Sequence, residues 1–311
     1  MSALFTALEK ESTHYSSEEE IASKYSQTIR SFLNFHSLML ITLVAEVLIL
    51  SILLNFSFKS YAIAIDLAFI LITLFSYLIC NYYLQTKMSE QLIKLRNNYL
   101  FSLREEMGDE NDHLSTSKAI RRLIAQLKKE NLYYKVLLPQ KICHFLVHNE
   151  CHFMLETLYL TSVNEIHLQI KKSPLDLKAH TALSNLFIEF SKIFSEPEMK
   201  QKYEKALKMA IEELQILDNY APNDPWIHAR LASCYHLLND KEKETQEYEL
   251  LRNLCPEDPD VLFKLGKLYF EQGNNAKGMR VYDKLKAKND YLANKLIATY
   301  DISIKYAFSQ Q

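Results

Sequence analysis

The last third of this 311-residue chain repeats itself, and the period of that repeat narrows the fold more than any other feature. Sliding DPWIHARLASCYHLLNDKEKETQEYELLRNLCPED forward by 34 residues lays it without a gap on DPDVLFKLGKLYFEQGNNAKGMRVYDKLKAKND. Pro225 falls on Pro259, Leu231 on Leu265, Ala232 on Gly266, Tyr235 on Tyr269, Asp240 on Asn274, Tyr248 on Tyr282 and Leu251 on Leu285. One step earlier, Pro222 falls on Pro256 and Leu217 on Leu251. A period in this range marks stacked supersecondary units, none of which can bury its apolar face alone.

Each matched position has a physical task. Leu231 and Leu265, followed by the small Ala232 and Gly266, let a second helix approach a first one closely, and Tyr235 and Tyr269 fill the space between them. Asn239-Asp240 and Gly273-Asn274 suit the turn between helices, and Pro256 breaks the chain before the next unit. These residues and this period resemble the tetratricopeptide repeat (TPR). The resemblance implies an all-α fold, a right-handed α-solenoid. Gly278 and Glu244 stand where the family carries Ala in the second helix, so looser packing is expected there. His228 and Leu262 stand in place of the usual Trp. Pro174, Leu183, Ser184 and Phe187 lie 48 residues before Pro222, Leu231, Ala232 and Tyr235, which predicts a third unit with fourteen extra residues around FSKIFSEPEMKQ. The clear repeats cover 222–290, degenerate ones reach back to about 155, and 291–308 is expected to cap the array.

Composition agrees with long helices. Four Gly and seven Pro leave little turn chemistry for a sandwich, a barrel or a phosphate-cradling loop. The 36 basic and 38 acidic residues nearly cancel, which supplies no overall pull toward nucleic acid. Five cysteines, odd in number and without a Cys-x-x-Cys pair, argue against a disulfide framework and for a reducing surrounding.

Ahead of the repeats lie two long apolar stretches. SLMLITLVAEVLILSILLNFSF, between His36 and Lys59, carries a single charge, Glu46; the stretch from Lys59 to Lys87 carries only Asp66. A helix rising ~1.5 Å per residue needs ~20 such residues to cross a hydrocarbon core of ~30 Å. The spacing therefore predicts two transmembrane helices, about 37–56 and 61–83, joined by a tight turn and antiparallel. A hairpin buried in a large soluble core is the alternative. Phe35, Phe56, Phe58, Tyr61, Tyr82 and Tyr83 fall at the ends, where amphipathic rings favour the interface. Lys24 and Arg30 precede the spans, Lys87, Lys94 and Arg96 follow them, and only Lys59 lies in the turn, which places both termini on the cytosolic side. Some 36 mostly polar residues come first, so a cleavable signal peptide is not expected.

By depth, Asp66 is expected opposite Ser51 and Glu46 opposite Thr73, so that each acid can hydrogen-bond across the hairpin; helix pairing, oligomerisation or a proton path would follow. Beyond the second span, Leu84, Met88, Leu92, Leu95, Tyr99 and Leu103 recur at three- and four-residue steps, an amphipathic stalk over 85–111. It can pack on its own domain or form a short homodimeric coiled coil. Polar MGDENDHLSTS (107–117) marks a boundary, leaving 112–311 as the helical repeat domain.

His144, His148 and His152, flanked by Cys143 and Cys151, lie at four-residue steps. Neighbours at that spacing can share a metal, but the outer two would be ~12 Å apart along a helix, and Asn149 is a candidate helix end. The plainer reading is a helix burying Phe145, Leu146, Phe153 and Leu155. No cofactor is expected, and without a nucleophile motif, a phosphate loop or paired carboxylates no enzyme is expected.

In TPR proteins the first helices of successive units line a concave groove. Register then assigns Trp226, Ala229, Ser233, His236, Phe263, Lys267 and Phe270 to a peptide-binding surface, suited to an apolar or acidic partner. Ser233 and Lys267 stand where relatives that clamp chaperone carboxylates carry Asn, which speaks against that specificity. Trp226 and Phe263 can also serve simply as packing between helices. The reading is a membrane-anchored scaffold for a protein or peptide partner, with a metal-binding or enzymatic protein built on the His144 cluster or the intramembrane acids as the alternative. Two spans with both termini on one side also resemble the bilobed hydrophobic domain of chlamydial inclusion-membrane proteins. A bacterial inner membrane or an inclusion membrane would be the setting, with homo-oligomers through hairpin or stalk.

Overall fold

The computed structural model describes residues 18–55, 60–107, 112–129, 140–194 and 196–309, all but short linkers helical. The chain divides into two compact units at 169/170, whereas composition marked 107–117.

The first unit holds α1 (Glu18–Asn55), α2 (Ser60–Met107), α3 (His113–Lys129) and most of α4 (Gln140–Lys172). Helices α1 and α2 run antiparallel, pinned by three bonds: Tyr25 OH donates to Leu92 O at 3.4 Å, His36 Nδ1 lies 3.0 Å from Tyr77 OH, and Thr73 Oγ1 donates to Glu46 Oε1 at 2.6 Å. The expected Glu46–Thr73 pairing is thus present. Asp66 differs: Ser51 is exposed, and Asp66 is buried with Oδ2 unsatisfied. Leu50 and Leu53 hold the seam of α1, and Ser51, one position off it, turns ~100° away. The turn itself, with Phe56, Phe58 and Lys59, lies outside the described residues.

The polar ends of α1 and α2 join α3 and α4 in a bundle. Ile21, Tyr25, Ile29 and Leu33 of α1, Met88, Leu92, Tyr99 and Leu103 of α2, Ile120 and Leu123 of α3, and Val147, Leu158 and Ile166 of α4 are all buried. The stalk positions Met88, Leu92, Tyr99 and Leu103 are therefore packed inside the unit, while Ile93 and Phe101 of the same helix stay exposed. Asp112 caps α3, accepting from Leu114 N at 3.1 Å and from the Ser115 hydroxyl. Glu165, buried on α4, is satisfied by Arg104 at 2.9 Å and His113 at 2.7 Å, as a carboxylate out of water requires. Helix α4 runs unbroken through Asn149, which is not a helix end, and residues 155–172 are its C-terminal half.

The second unit contains three helix pairs and a cap: α5 (Leu177–Ser191) with α6 (Lys200–Tyr220), α7 (Pro225–Leu237) with α8 (Lys241–Leu254), α9 (Pro259–Glu271) with α10 (Asn275–Lys286), and α11 (Asp290–Ser309). Paired helices of this kind are what a TPR-like solenoid consists of. Asp176, Asp224 and Asp258 cap the first helix of each pair by accepting backbone N–H bonds, and Pro225 and Pro259 occupy first-turn positions where no N–H is needed. The tight turns place Asn239 at φ 59° and Gly273 at φ 74°, equivalent positions one repeat apart. The fourteen extra residues appear as 3-10 turns at Lys192–Phe194 and Pro197–Met199 and a longer α6.

Packing at the two departures from Ala is tight, not loose. Phe270 fills the hole above Gly278, where a Cβ would meet its Cζ at 2.9 Å and two other ring atoms closer still. Glu244 is buried but paired with His236 at 3.0 Å. Gly266 admits the cap: Leu296 of α11 would lie 2.6 Å from a Cβ there. Where Trp is usual, His228 places Nδ1 2.8 Å from the Glu247 carboxyl and donates from Nε2 to Pro222 O at 2.9 Å. His180 does the same with Glu213 at 2.6 Å and Pro174 O at 3.1 Å.

Candidate functional site

Helices α7 and α9 start at prolines 34 residues apart, so their outward faces present equivalent positions side by side. Between them opens a cleft of about 700 Å3. Trp226, Ala229, Ser233 and His236 line it from α7 and Phe263 and Lys267 from α9, while Tyr248 and Leu251 of α8 also face it. Six of the seven residues assigned by register are therefore brought together.

Phe270 is not among them. Its ring is buried and stacks on Tyr300 of the cap with centroids 4.4 Å apart. Register alone puts residue 270 two turns past Phe263 on the groove face, but the hole left by Gly278 draws the ring inward and α11 seals it there. Phe263 is half-buried against the core below, with the Lys295 ammonium 5.6 Å from its ring. Trp226 is the more open of the two anchors, with the Arg230 guanidinium 5.4 Å from its ring centre.

Sequence reasoning missed the charges around the cleft: Glu244, Asp258, Asp260, Lys264 and Glu271. Most are matched internally. Glu271 takes Lys241 at 2.8 Å and Lys267 at 3.6 Å; burial opposes its ionisation, yet these lysines hold its carboxyl below the ordinary range. Glu244 is matched by His236. Asp258 is spent as a helix cap, which leaves Asp260 as a carboxylate facing the cleft without an ion pair among the described residues. The Asp-Pro that opens each repeat marks the cap. Nothing in the register shows which rim charges are matched.

The metal reading fares differently. His148 and His152 sit one turn apart on α4 with ring centroids at 4.3 Å, and the His144 side chain lies outside the described residues. Phe153, expected inside, is exposed, and Val147, Met154 and Leu158 are buried instead. Cys151 is half-buried, and burial together with the neighbouring Glu150 pushes its thiol up to about 12, which disfavours thiolate chemistry.

No family model matches the chain, and no curated protein matches it. Among solved structures, the MamA protein of AMB-1 is 13% identical, with a TM-score of 0.35 over 57% of this chain and 88% of its own. A thermophilic TPR protein of Thermus thermophilus is 14% identical, with a TM-score of 0.35 over 68% of this chain and 95% of its own. Superpositions this loose say nothing about function, and the TPR-like character rests on the paired helices and their period.

Proposed function

We propose that the chain is a membrane-anchored scaffold, in which α1 and α2 cross a bilayer with both termini on the cytosolic side and the α7–α9 cleft holds a segment of a partner protein. The observation that carries the binding half is the convergence of Trp226 and Phe263, from successive repeats, on one cleft. An aromatic pair framing a concave surface is the usual shape of an anchor site, because such rings desolvate much area at little entropic cost. Lys267 is matched by Glu271, whereas Lys264 lies over the Tyr248 ring and Asp260 has no ion pair among the described residues, so the cleft suits an extended segment with apolar side chains and a basic group at the Asp260 end.

The anchoring half is supported by exposure. Only 6% of the most apolar 18-residue window of each long helix is buried within the chain. Leu48, Phe75 and Ile79 stand outward with more than half their surface free. A core helix of a soluble protein would hide these residues. A face this apolar asks for lipid or for another apolar surface. Glu46 is given a hydrogen-bond donor in such a setting, the Thr73 hydroxyl across the hairpin, where an unaided charge at mid-bilayer would cost ~2.5–3.5 kcal/mol.

The binding half is tested by capture of partners from solubilised membranes with the full chain. Trp226→Ala with Phe263→Ala should lose the partners that the wild type retains, while Phe270→Leu, away from the cleft, should keep them. Retention by a folded double variant would remove the cleft from the account.

A further inference from the structure

A second cavity, of about 720 Å3, opens between α8 and α10, away from the α7–α9 cleft. Arg252 reaches it from α8, and Lys277, Arg280 and Lys284 from α10, above a floor that includes Leu262 and Val281. One carboxylate, Glu249, shares the wall. It is already satisfied by the Tyr269 hydroxyl and by Lys277 at 3.3 Å, and these bonds hold it ionised below the ordinary range. Three net positive charges remain.

The repeat register shows that this lining is particular to the last pair. Shifted back by 34 residues, Leu262 becomes His228, Val281 becomes Glu247, Arg252 becomes Asp218, Arg280 becomes Gln246 and Lys284 becomes Leu250. In the preceding pair the same place is therefore closed by an internal clamp, His228 held between Glu247 and Pro222, with Asp218 3.7 Å away. In the last pair the clamp is gone, its acids are replaced by cations or an apolar residue, and a cavity stands open. Lys277, Arg280 and Lys284 follow one another at three- and four-residue steps, so like charges share one helix face. That arrangement is destabilising unless an anion answers it. Asp283, the sole acid of α10, is not on the cavity wall.

We propose that this cavity binds a compact polyanion of phosphoryl type. Three of the cations lie within ~10 Å along α10 and the fourth faces them from α8, which concentrates charge on a small body rather than along an extended strand. Guanidinium groups present planar forks that match phosphoryl oxygens, and the apolar floor strengthens each charged bond by lowering the local dielectric. The volume falls within the range of small-ligand sites.

The full-length protein in detergent, at low salt, is titrated calorimetrically with pyrophosphate. Saturable one-to-one binding is expected. Arg280→Gln with Lys284→Gln should weaken it about tenfold or more, the loss expected when charge-assisted bonds are removed. Glu249→Gln keeps the acceptor for Tyr269 but removes the sole carboxylate, and should tighten binding, which a merely structural role would not produce. Repeating the titration in phosphatidylcholine nanodiscs with and without phosphatidylinositol 4-phosphate separates the sources. Loss of pyrophosphate binding in the phosphoinositide discs assigns a lipid headgroup; unchanged binding assigns a soluble phosphate. The proposal is overturned if no saturable binding occurs, if the double variant binds as the wild type does, or if a hexaglutamate peptide binds more tightly than pyrophosphate.

Discussion

His228 Nδ1 lies 2.8 Å from the Glu247 carboxyl while its Nε2 donates to the Pro222 carbonyl at 2.9 Å, so the ring is clamped from both sides. The proton between Nδ1 and the carboxyl is shared with Glu247, which burial pushes above the ordinary carboxyl range despite the His228 bond. Burial opposes the charge, but the Pro222 and Glu247 bonds outweigh it and raise the histidine above its ordinary 6.5. His180 is raised in the same way by Glu213 and Pro174. A proton bound more firmly in the folded chain stabilises fully below the unfolded value and is lost as pH rises through the folded one. The melting temperature of the repeat unit is therefore expected to be highest near pH ~6 and to fall toward pH ~9. His228→Leu with Glu247→Val, the pair that Leu262 and Val281 form one repeat later, should flatten that slope and cost little stability. His228→Leu alone strands Glu247 and should cost on the order of 3 kcal/mol. Circular-dichroism melts of the full chain in detergent across this pH range decide it: a flat wild-type profile would exclude a clamp that holds its proton more firmly in the folded chain.

Gly278 and Gly266 look alike in the repeat pattern but differ in what surrounds them. A Cβ on Gly278 would collide with the Phe270 ring, which is held from behind by Tyr300; a Cβ on Gly266 meets the flexible end of Leu296 and, at 3.3 Å, Val281. Gly278→Ala should destabilise by about 1–3 kcal/mol despite the better helix propensity of Ala. Gly266→Ala should cost less, and adding Phe270→Leu should relieve much of the Gly278→Ala penalty. Equal losses for the two glycines in thermal unfolding would contradict this packing.

How far the molecule can be read from its residues depends on whether the deciding contact is local. The 34-residue period and the turns at Asn239 and Gly273 follow from neighbouring positions, and they are present. Six of the seven groove residues follow from the same register. Phe270 escaped it because a partner two helices away, Tyr300, competes for the ring. The bundle of α3 and α4 with α1 and α2 was hidden for a similar reason: Glu165 needs Arg104 and His113, and no periodicity announces a pairing across 61 residues. The His180 and His228 clamps left a faint mark, a Pro six residues ahead of each His, which has meaning only once the helix pair is built.

Thr73 and Glu46 meet inside the hairpin at 2.6 Å. Interhelical bonds of this kind in lipid are worth about 0.6–1.7 kcal/mol. Thr73→Val should weaken the hairpin by that amount, read from unfolding in mixed detergent micelles, and Thr73→Ser should restore it. Identical stability of the Val and Ser variants would show that the bond does not contribute.

Extraction of native membranes with alkaline carbonate is the most direct test of whether α1 and α2 lie in a bilayer. The account predicts that the full chain stays in the membrane pellet and is released only by detergent, and that charged substitutions on the outward face, Leu48→Lys with Ile79→Lys, reduce its membrane content. Recovery of the wild-type chain in the carbonate supernatant, folded and free of lipid, would contradict it.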